Sequence, residues 1–121
     1  MLCSATDEIL SLTERAYFNN DLALAYNVEP LEEVVDDLKT LLRNNHIVRL
    51  KAGSCTVETG FIWSDLITNL ERVSDHCSNI AVGIIDLSKH TMNAHEMTRA
   101  LKENSTDYSC KYKEYSAKYA L

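Results

Sequence analysis

Residues 70–81, with the sequence LERVSDHCSNIA, carry the side chains of this chain that are best suited to chemistry. Glu71 and Asp75 are four residues apart and Asn79 follows at the same interval, so a helix would align all three on one polar stripe. Like charges at this spacing cost a helix roughly 0.2–0.5 kcal/mol per pair. A cation held against the two carboxylates would reverse the sign of that interaction. The stripe therefore predicts cation binding.

A second segment, VEPLEEVVDDLK at residues 28–39, repeats the E-x-x-x-D pattern. Glu32 and Asp36 form one pair, and Glu33 and Asp37 form another one residue later. Carboxylates on facing helices are a common way for helical bundles to hold metal ions. The alternative is a solvated acidic surface, because any single E-x-x-x-D arises often by chance. The predicted metal ligands are Glu32, Asp36, Glu71 and Asp75.

Three neighbours of this pattern leave alternatives open. His76 follows Asp75 directly and points about 100° away from it on a helix. It is either a ligand of a neighbouring site, a group that supports the ligands, or an exposed side chain. Asn79 either supports the ligands or forms a hydrogen bond between helices. Arg72 can neutralise Asp75 without any metal.

Catalysis finds little support in the sequence. There is no G-x-S-x-G, no phosphate-binding loop and no dinucleotide fingerprint. No E-x-x-H pair occurs, which argues against a ferritin-type oxidase centre. A metal-dependent enzyme would also need an open metal position and a general base, and no residue clearly supplies the base. We therefore expect a protein that is not an enzyme.

The composition favours long helices that could position these residues. Three glycines and one proline in 121 residues are few for a sheet protein, which needs turns. The net charge of −6 argues against nucleic-acid or anionic-membrane binding and is compatible with cations. The longest apolar run, IAVGII, is too short to insert into a membrane. We expect one domain over residues 1–121, located in the cytoplasm with four reduced cysteines.

Two helices are predicted in the first half of the chain. Residues 4–20 form the first, with Ser4 or Thr6 as its N-cap. Residues 21–52 form the second, with Asp21 as its N-cap. The polar sequence NND between them marks the break.

Helix-breaking and capping residues mark the predicted helix boundaries in the middle of the chain. Pro30 lies inside the second helical pattern, so we expect a kink or a short break there. Gly53 is well placed to end the second helix, and Thr56 to cap a third over residues 56–88. Its predicted core line consists of Ile62, Leu66, Leu70, Val73, Cys77, Ile80 and Ile84.

The last region begins with Asn93 and Glu96, which have the spacing of a capping box. A helix is predicted over residues 94–103, followed by a joint at residues 104–106 and a final helix. Four tyrosines at helical spacing form one stripe on that final helix. The stripe either packs on the bundle or docks a partner. Its members are Tyr108, Tyr112, Tyr115 and Tyr119.

The acidic segments resemble those of PhoU-type domains. In that family an acidic E-x-x-x-D is followed by His and then by Asn-Ile-Ala, as in LERVSDHCSNIA, and a matching acidic stretch lies on the preceding helix, as in VEPLEEVVDDLK. The chain is most similar to the C-terminal cytoplasmic PhoU-like domain of bacterial sodium/phosphate cotransporters. The shared phrases are VEPLE, HI-x-RL, a Gly-x-Cys turn, DL-x-TNLER-x-SDHCSNIA and a tyrosine-rich end.

The resemblance implies an all-α fold, an antiparallel up-down three-helix bundle with an additional C-terminal helical segment. It implies iron or zinc on Glu32, Asp36, Glu71 and Asp75, and regulation of sodium-dependent phosphate transport rather than catalysis. The implied partners are the transmembrane part of a phosphate transporter, at the cytoplasmic face of the membrane, and a second copy in a homodimer. The rival expectation is a structural interaction module that binds no metal.

Overall fold

The chain folds into a helical bundle in this computed structural model, which describes the backbone of residues 1–90 and 94–121 and the side chains of residues 1–90 and 106–121. Within those residues every regular element is a helix: α1 (Leu2–Asn19), α2 (Leu22–Lys51), α3 (Val57–Lys89) and α4 (Ala94–Lys118). The first three helices pack against one another and are joined by short turns, and α4 packs mainly on α2. The predicted three-helix up-down bundle with an additional C-terminal helical segment is confirmed.

The turn between α1 and α2 forms as predicted, whereas α1 begins earlier than expected. Asn20 adopts a left-handed conformation with φ of 49° that ends α1. The Asp21 side chain then accepts a hydrogen bond from the backbone N–H of Leu24 at 3.2 Å and caps α2. The predicted cap at Ser4 or Thr6 was wrong, because both residues lie inside the helix. The hydroxyl of Thr6 donates to the Leu2 carbonyl at 2.9 Å, one turn back.

Helix α2 runs without interruption through Pro30, so of the predicted kink or short break the break was wrong. Pro30 is buried, and packing on both sides of this position outweighs the lost backbone hydrogen bond. The helix ends where predicted, at Gly53 with φ of 73°. The N–H groups of Gly53 and Ser54 donate to the carbonyls of Leu50 and Arg49 at 3.2 and 2.9 Å, which closes the end of the helix.

Helix α4 is continuous from Ala94 to Lys118, so the predicted joint at residues 104–106 was wrong. The capping box proposed for Asn93 and Glu96 lies outside the described residues. Tyr108 and Tyr112 of α4 contact residues 33 and 37 of α2, respectively. Because residue numbers increase in the same direction along both helices, α4 runs parallel to α2.

The core lies between α1, α2 and α3. Four members of the predicted core line of α3 contribute to it: Cys77 and Ile84 are buried, and Leu70 and Val73 are partly buried against it. Ile62, Leu66 and Ile80, assigned to the core from the sequence, are 67%, 50% and 45% exposed. Apolar residues occur on two faces of α3, and spacing alone does not identify which face is covered. The residues of α3 that are buried are Gly60, Ile67, Ser74, Cys77, Ala81, Ile84 and Ile85.

Candidate functional site

The antiparallel packing of α2 and α3 brings the two E-x-x-x-D pairs together. Glu32 lies within electrostatic range of Asp36 on its own helix and of Glu71 and Asp75 on α3, while Glu29 adds a fifth carboxylate one turn earlier. We call these five residues the acidic cluster. The four predicted ligands therefore lie near one another, around Glu32.

Glu32 is the most perturbed residue of the acidic cluster. Its pKa is raised from the ordinary value of 4.5 to about 7. Burial is the largest cause, and the neighbouring charges of the other four carboxylates act in the same direction. The side chain is partly buried, whereas Asp36 and Asp75 are exposed. Negative charge is thus concentrated around one carboxyl group that lies between two helices.

Two polar contacts from outside the predicted set hold the acidic cluster together. The Lys39 ammonium donates to Glu71 at 2.9 Å, and both side chains are mostly buried at 18% and 15% exposure. The hydroxyl of Ser78 donates to Glu29 at 2.5 Å. Sequence reasoning missed these residues, although positions 29, 32, 36 and 39 continue one helical line, as do 71, 75 and 78.

The carboxylates of the acidic cluster are suitable cation ligands by their chemistry, but their arrangement fits a cation less well. Carboxylate oxygens are good ligands for hard cations and for iron or zinc. Among the described residues, however, no group of three or more His, Cys, Asp or Glu side chains is arranged to hold a metal ion. Lys39 occupies one oxygen of Glu71, so a cation that binds this oxygen would have to displace it. The two residues assigned to support the ligands, His76 and Asn79, are both exposed.

The second E-x-x-x-D register on α2 faces α4 instead of α3. The Tyr108 hydroxyl donates to Glu33, and the Tyr112 hydroxyl donates to Asp37 at 2.6 Å. The hydrogen bond to Asp37 raises the pKa of Tyr112, and burial together with the Glu33 contact raises the pKa of Tyr108. Adjacent acidic pairs on α2 therefore bind different helices.

The tyrosine stripe of α4 lies against the chain's own bundle, the first of its two predicted interpretations. Tyr115 and Tyr119 are buried at 5% exposure each, and burial raises the pKa of Tyr115 to about 12. The Tyr119 hydroxyl and the Lys118 ammonium both donate to Glu8 of α1. Burial alone would raise the pKa of Glu8, but these two hydrogen bonds outweigh it and lower that pKa. The stripe thereby ties α4 to α1 and α2.

An apolar groove that the sequence did not predict lies between α1 and α3. It has a volume of about 520 Å³, and its walls include Leu10, Tyr17, Phe18, Cys77 and Ile80. Tyr17 and Phe18 are 63% and 77% exposed and stack edge to face. The groove and the acidic cluster lie on different helix pairs.

The described helices include none with the length and hydropathy needed to cross a bilayer. The PhoU domain family matches residues 2–84, which contain α1, α2, most of α3 and the whole acidic cluster. The chain therefore belongs to the PhoU domain family, whose members are accessory and regulatory proteins rather than enzymes.

One curated relative is the phosphate-specific transport system accessory protein PhoU homolog 1 of Thermotoga maritima. It is 24% identical over 91 residues, which cover 75% of this chain and 39% of the relative. The chain thus spans about two fifths of the length of that protein. No solved structure matches the chain.

Proposed function

We propose that this chain is a regulatory domain that adjusts a sodium-coupled phosphate transporter from the cytoplasmic face of the membrane. The observation that carries the proposal is the PhoU family match over residues 2–84, which includes both acidic segments facing each other between α2 and α3. The cotransporter assignment rests on the similarity of the VEPLE and TNLER-x-SDHCSNIA phrases to that subfamily. Its partner would be the transmembrane part of the transporter, and a second copy of the chain would form a homodimer.

The regulatory signal would be a metal ion that binds at the acidic cluster. Iron or zinc would be held by Glu32, Asp36, Glu71 and Asp75, where it would neutralise the clustered carboxylates. The chain's own role is to keep these carboxylates on two adjacent helices, so that their charge affects how tightly α2 and α3 pack. Lys39 does part of this neutralising through Glu71, and it would compete with the metal.

Metal titration of the purified protein tests this input. We expect iron or zinc to bind wild type, an Asp36→Asn/Asp75→Asn double variant to lose that binding, and Asp65→Asn, an exposed carboxylate of α3 outside the cluster, to keep it. Lys39→Met should tighten binding because the competing ammonium is gone. Metal content is measured after aerobic and anaerobic preparation. If neither preparation contains metal and no titration shows affinity, even for Lys39→Met, the metal assignment is wrong.

A structural interaction module without metal is the second candidate, and the Lys39–Glu71 ion pair favours it. That contact at 2.9 Å already supplies a positive charge against the α3 stripe. Sodium-dependent phosphate uptake distinguishes the two candidates in cells that carry the transporter and either wild type or the Asp36→Asn/Asp75→Asn variant. A regulatory metal site predicts altered control of uptake in the variant, whereas a metal-free module predicts control equal to wild type. Control of uptake that is unaffected by removing the chain entirely would contradict both.

A further inference from the structure

A cysteine and a histidine meet at the end of the bundle where α2 turns into α3. The Cys55 sulfur lies 3.8 Å from Nδ1 of His46, within hydrogen-bonding distance for sulfur. Cys55 is partly exposed and immediately precedes Thr56, the N-cap of α3. Helix N-termini and nearby imidazoles are the surroundings that make thiols reactive. Neither residue belongs to the acidic cluster.

His46 is held against this thiol by the backbone of α3. It is 9% exposed, and its Nε2 is buried without a hydrogen-bond partner among the described residues. A Cβ atom added at Gly60 would come within 2.7 Å of Nε2, so only glycine leaves room for the ring at this position. Trp63 packs nearby with its ring centre 6.5 Å from that of His46. The imidazole is thus fixed in place with Nδ1 toward the sulfur.

We propose that Cys55 is an oxidant-sensitive thiol whose reaction with hydroperoxides is assisted by His46. In the tautomer with hydrogen on Nε2, Nδ1 accepts the thiol proton. The thiolate then attacks one peroxide oxygen: an S–O bond forms, the O–O bond breaks, and the sulfur is oxidised by two electrons to a sulfenic acid. The departing hydroxide, or alkoxide, takes the proton from the imidazolium and leaves as water or an alcohol.

The other three cysteines serve as internal controls. Cys3 and Cys110 are exposed and Cys77 is buried, and all four cysteines are free thiols. If exposure alone set the reaction rate, Cys3 and Cys110 would react faster than the partly exposed Cys55. If the histidine contact sets the rate instead, Cys55 should react faster than Cys3 and Cys110. The ranking of the four oxidation rates therefore distinguishes exposure from the histidine contact as the cause.

The experiment measures the oxidation rate of each cysteine with hydrogen peroxide on the full chain, trapping sulfenic acid with a dimedone-type reagent and quantifying each site by mass spectrometry. We expect Cys55 to react at least roughly tenfold faster than Cys3 or Cys110. His46→Gln should slow Cys55 by a similar factor and leave the other two rates unchanged. Equal rates for Cys55, Cys3 and Cys110 in wild type would overturn the proposal, as would an undiminished Cys55 rate in His46→Gln.

A pair of glycine variants tests the geometry without touching either reacting side chain. Gly60→Ala should displace His46 and slow Cys55, whereas Gly83→Ala, on the same helix with open space around the added methyl group, should not. Circular dichroism confirms that each variant is folded. If Gly60→Ala does not fold, His46→Gln with added free imidazole replaces it, and partial recovery of the Cys55 rate is expected. A folded Gly60→Ala with the wild-type rate, or no recovery with imidazole, would contradict the role of His46.

Discussion

Replacing Glu32 with glutamine should stabilise the protein at neutral and alkaline pH but not in acid. The pKa of Glu32 is 4.5 in the unfolded chain and about 7 in the folded one, so the folded state binds its proton more tightly. The stability from that proton is fully present below the unfolded value, and it is lost as the pH rises through about 7. Above that pH the folded protein carries an unfavourable charge that glutamine removes.

The size of the effect follows from the two pKa values. Their difference corresponds to an upper limit of about 3.4 kcal/mol at 1.36 kcal/mol for each pH unit. Solvent screening at this partly exposed position reduces the expected gain to about 1–2 kcal/mol. Asp36 and Asp75 contribute to the shift, so Asp36→Asn should produce a smaller gain in the same direction.

Urea unfolding of wild type and Glu32→Gln at about pH 4 and about pH 8 measures the effect. Glu14→Gln, at an exposed carboxylate of α1, is the matched control and should leave stability unchanged at both pH values. The reasoning fails if Glu32→Gln shows the same stability difference from wild type at both pH values. A gain confined to acid would also refute it, because the sign would be reversed.

Two further perturbations probe the ends and connections of the helices. Tyr119→Phe removes the hydroxyl that donates to Glu8 and should destabilise the protein by about 1–2 kcal/mol in urea unfolding at neutral pH; Tyr17→Phe, at an exposed ring, should cost nothing measurable. Gly53→Ala should cost about 1 kcal/mol because of the positive φ, whereas Gly83→Ala in a helix interior should gain up to about 1 kcal/mol in the same assay. Equal effects for either pair would contradict the local geometry described above.

Local signals were sufficient to predict where most helices begin and end. Asp21, Gly53 and Thr56 act within one turn of their own positions, so their effect can be read from neighbouring residues alone. Pro30 shows the limit of this reasoning, because its local cost is real but tertiary packing on both sides keeps the helix continuous. The predicted core line of α3 was right for Cys77 and Ile84 but wrongly included Ile62 and Ile80, since these exposed residues satisfy helical spacing as well as the buried ones do.

The acidic cluster was predictable as a set of positions but not as a set of partners. Four-residue spacing placed Glu32 and Asp36 on one face, and the antiparallel arrangement of α2 and α3 then placed Glu71 and Asp75 opposite them. Which positively charged group contacts these carboxylates depends on the relative positions of the two helices along their axes. That relation follows from the packing of whole helices and is absent from either segment alone.

Lys39 explains how the fold tolerates its clustered carboxylates without an added ion. Its ammonium reaches Glu71 across the helix interface, and both side chains are mostly shielded from water. The attraction therefore remains effective where an exposed pair would be screened. Among the described residues, Glu32 forms no ion pair, and its pKa is raised by burial and by the neighbouring carboxylates. A metal ion that takes the Glu71 oxygen bound by Lys39 must therefore provide more stabilisation than the ion pair it replaces, and Lys39→Met measures that competition directly.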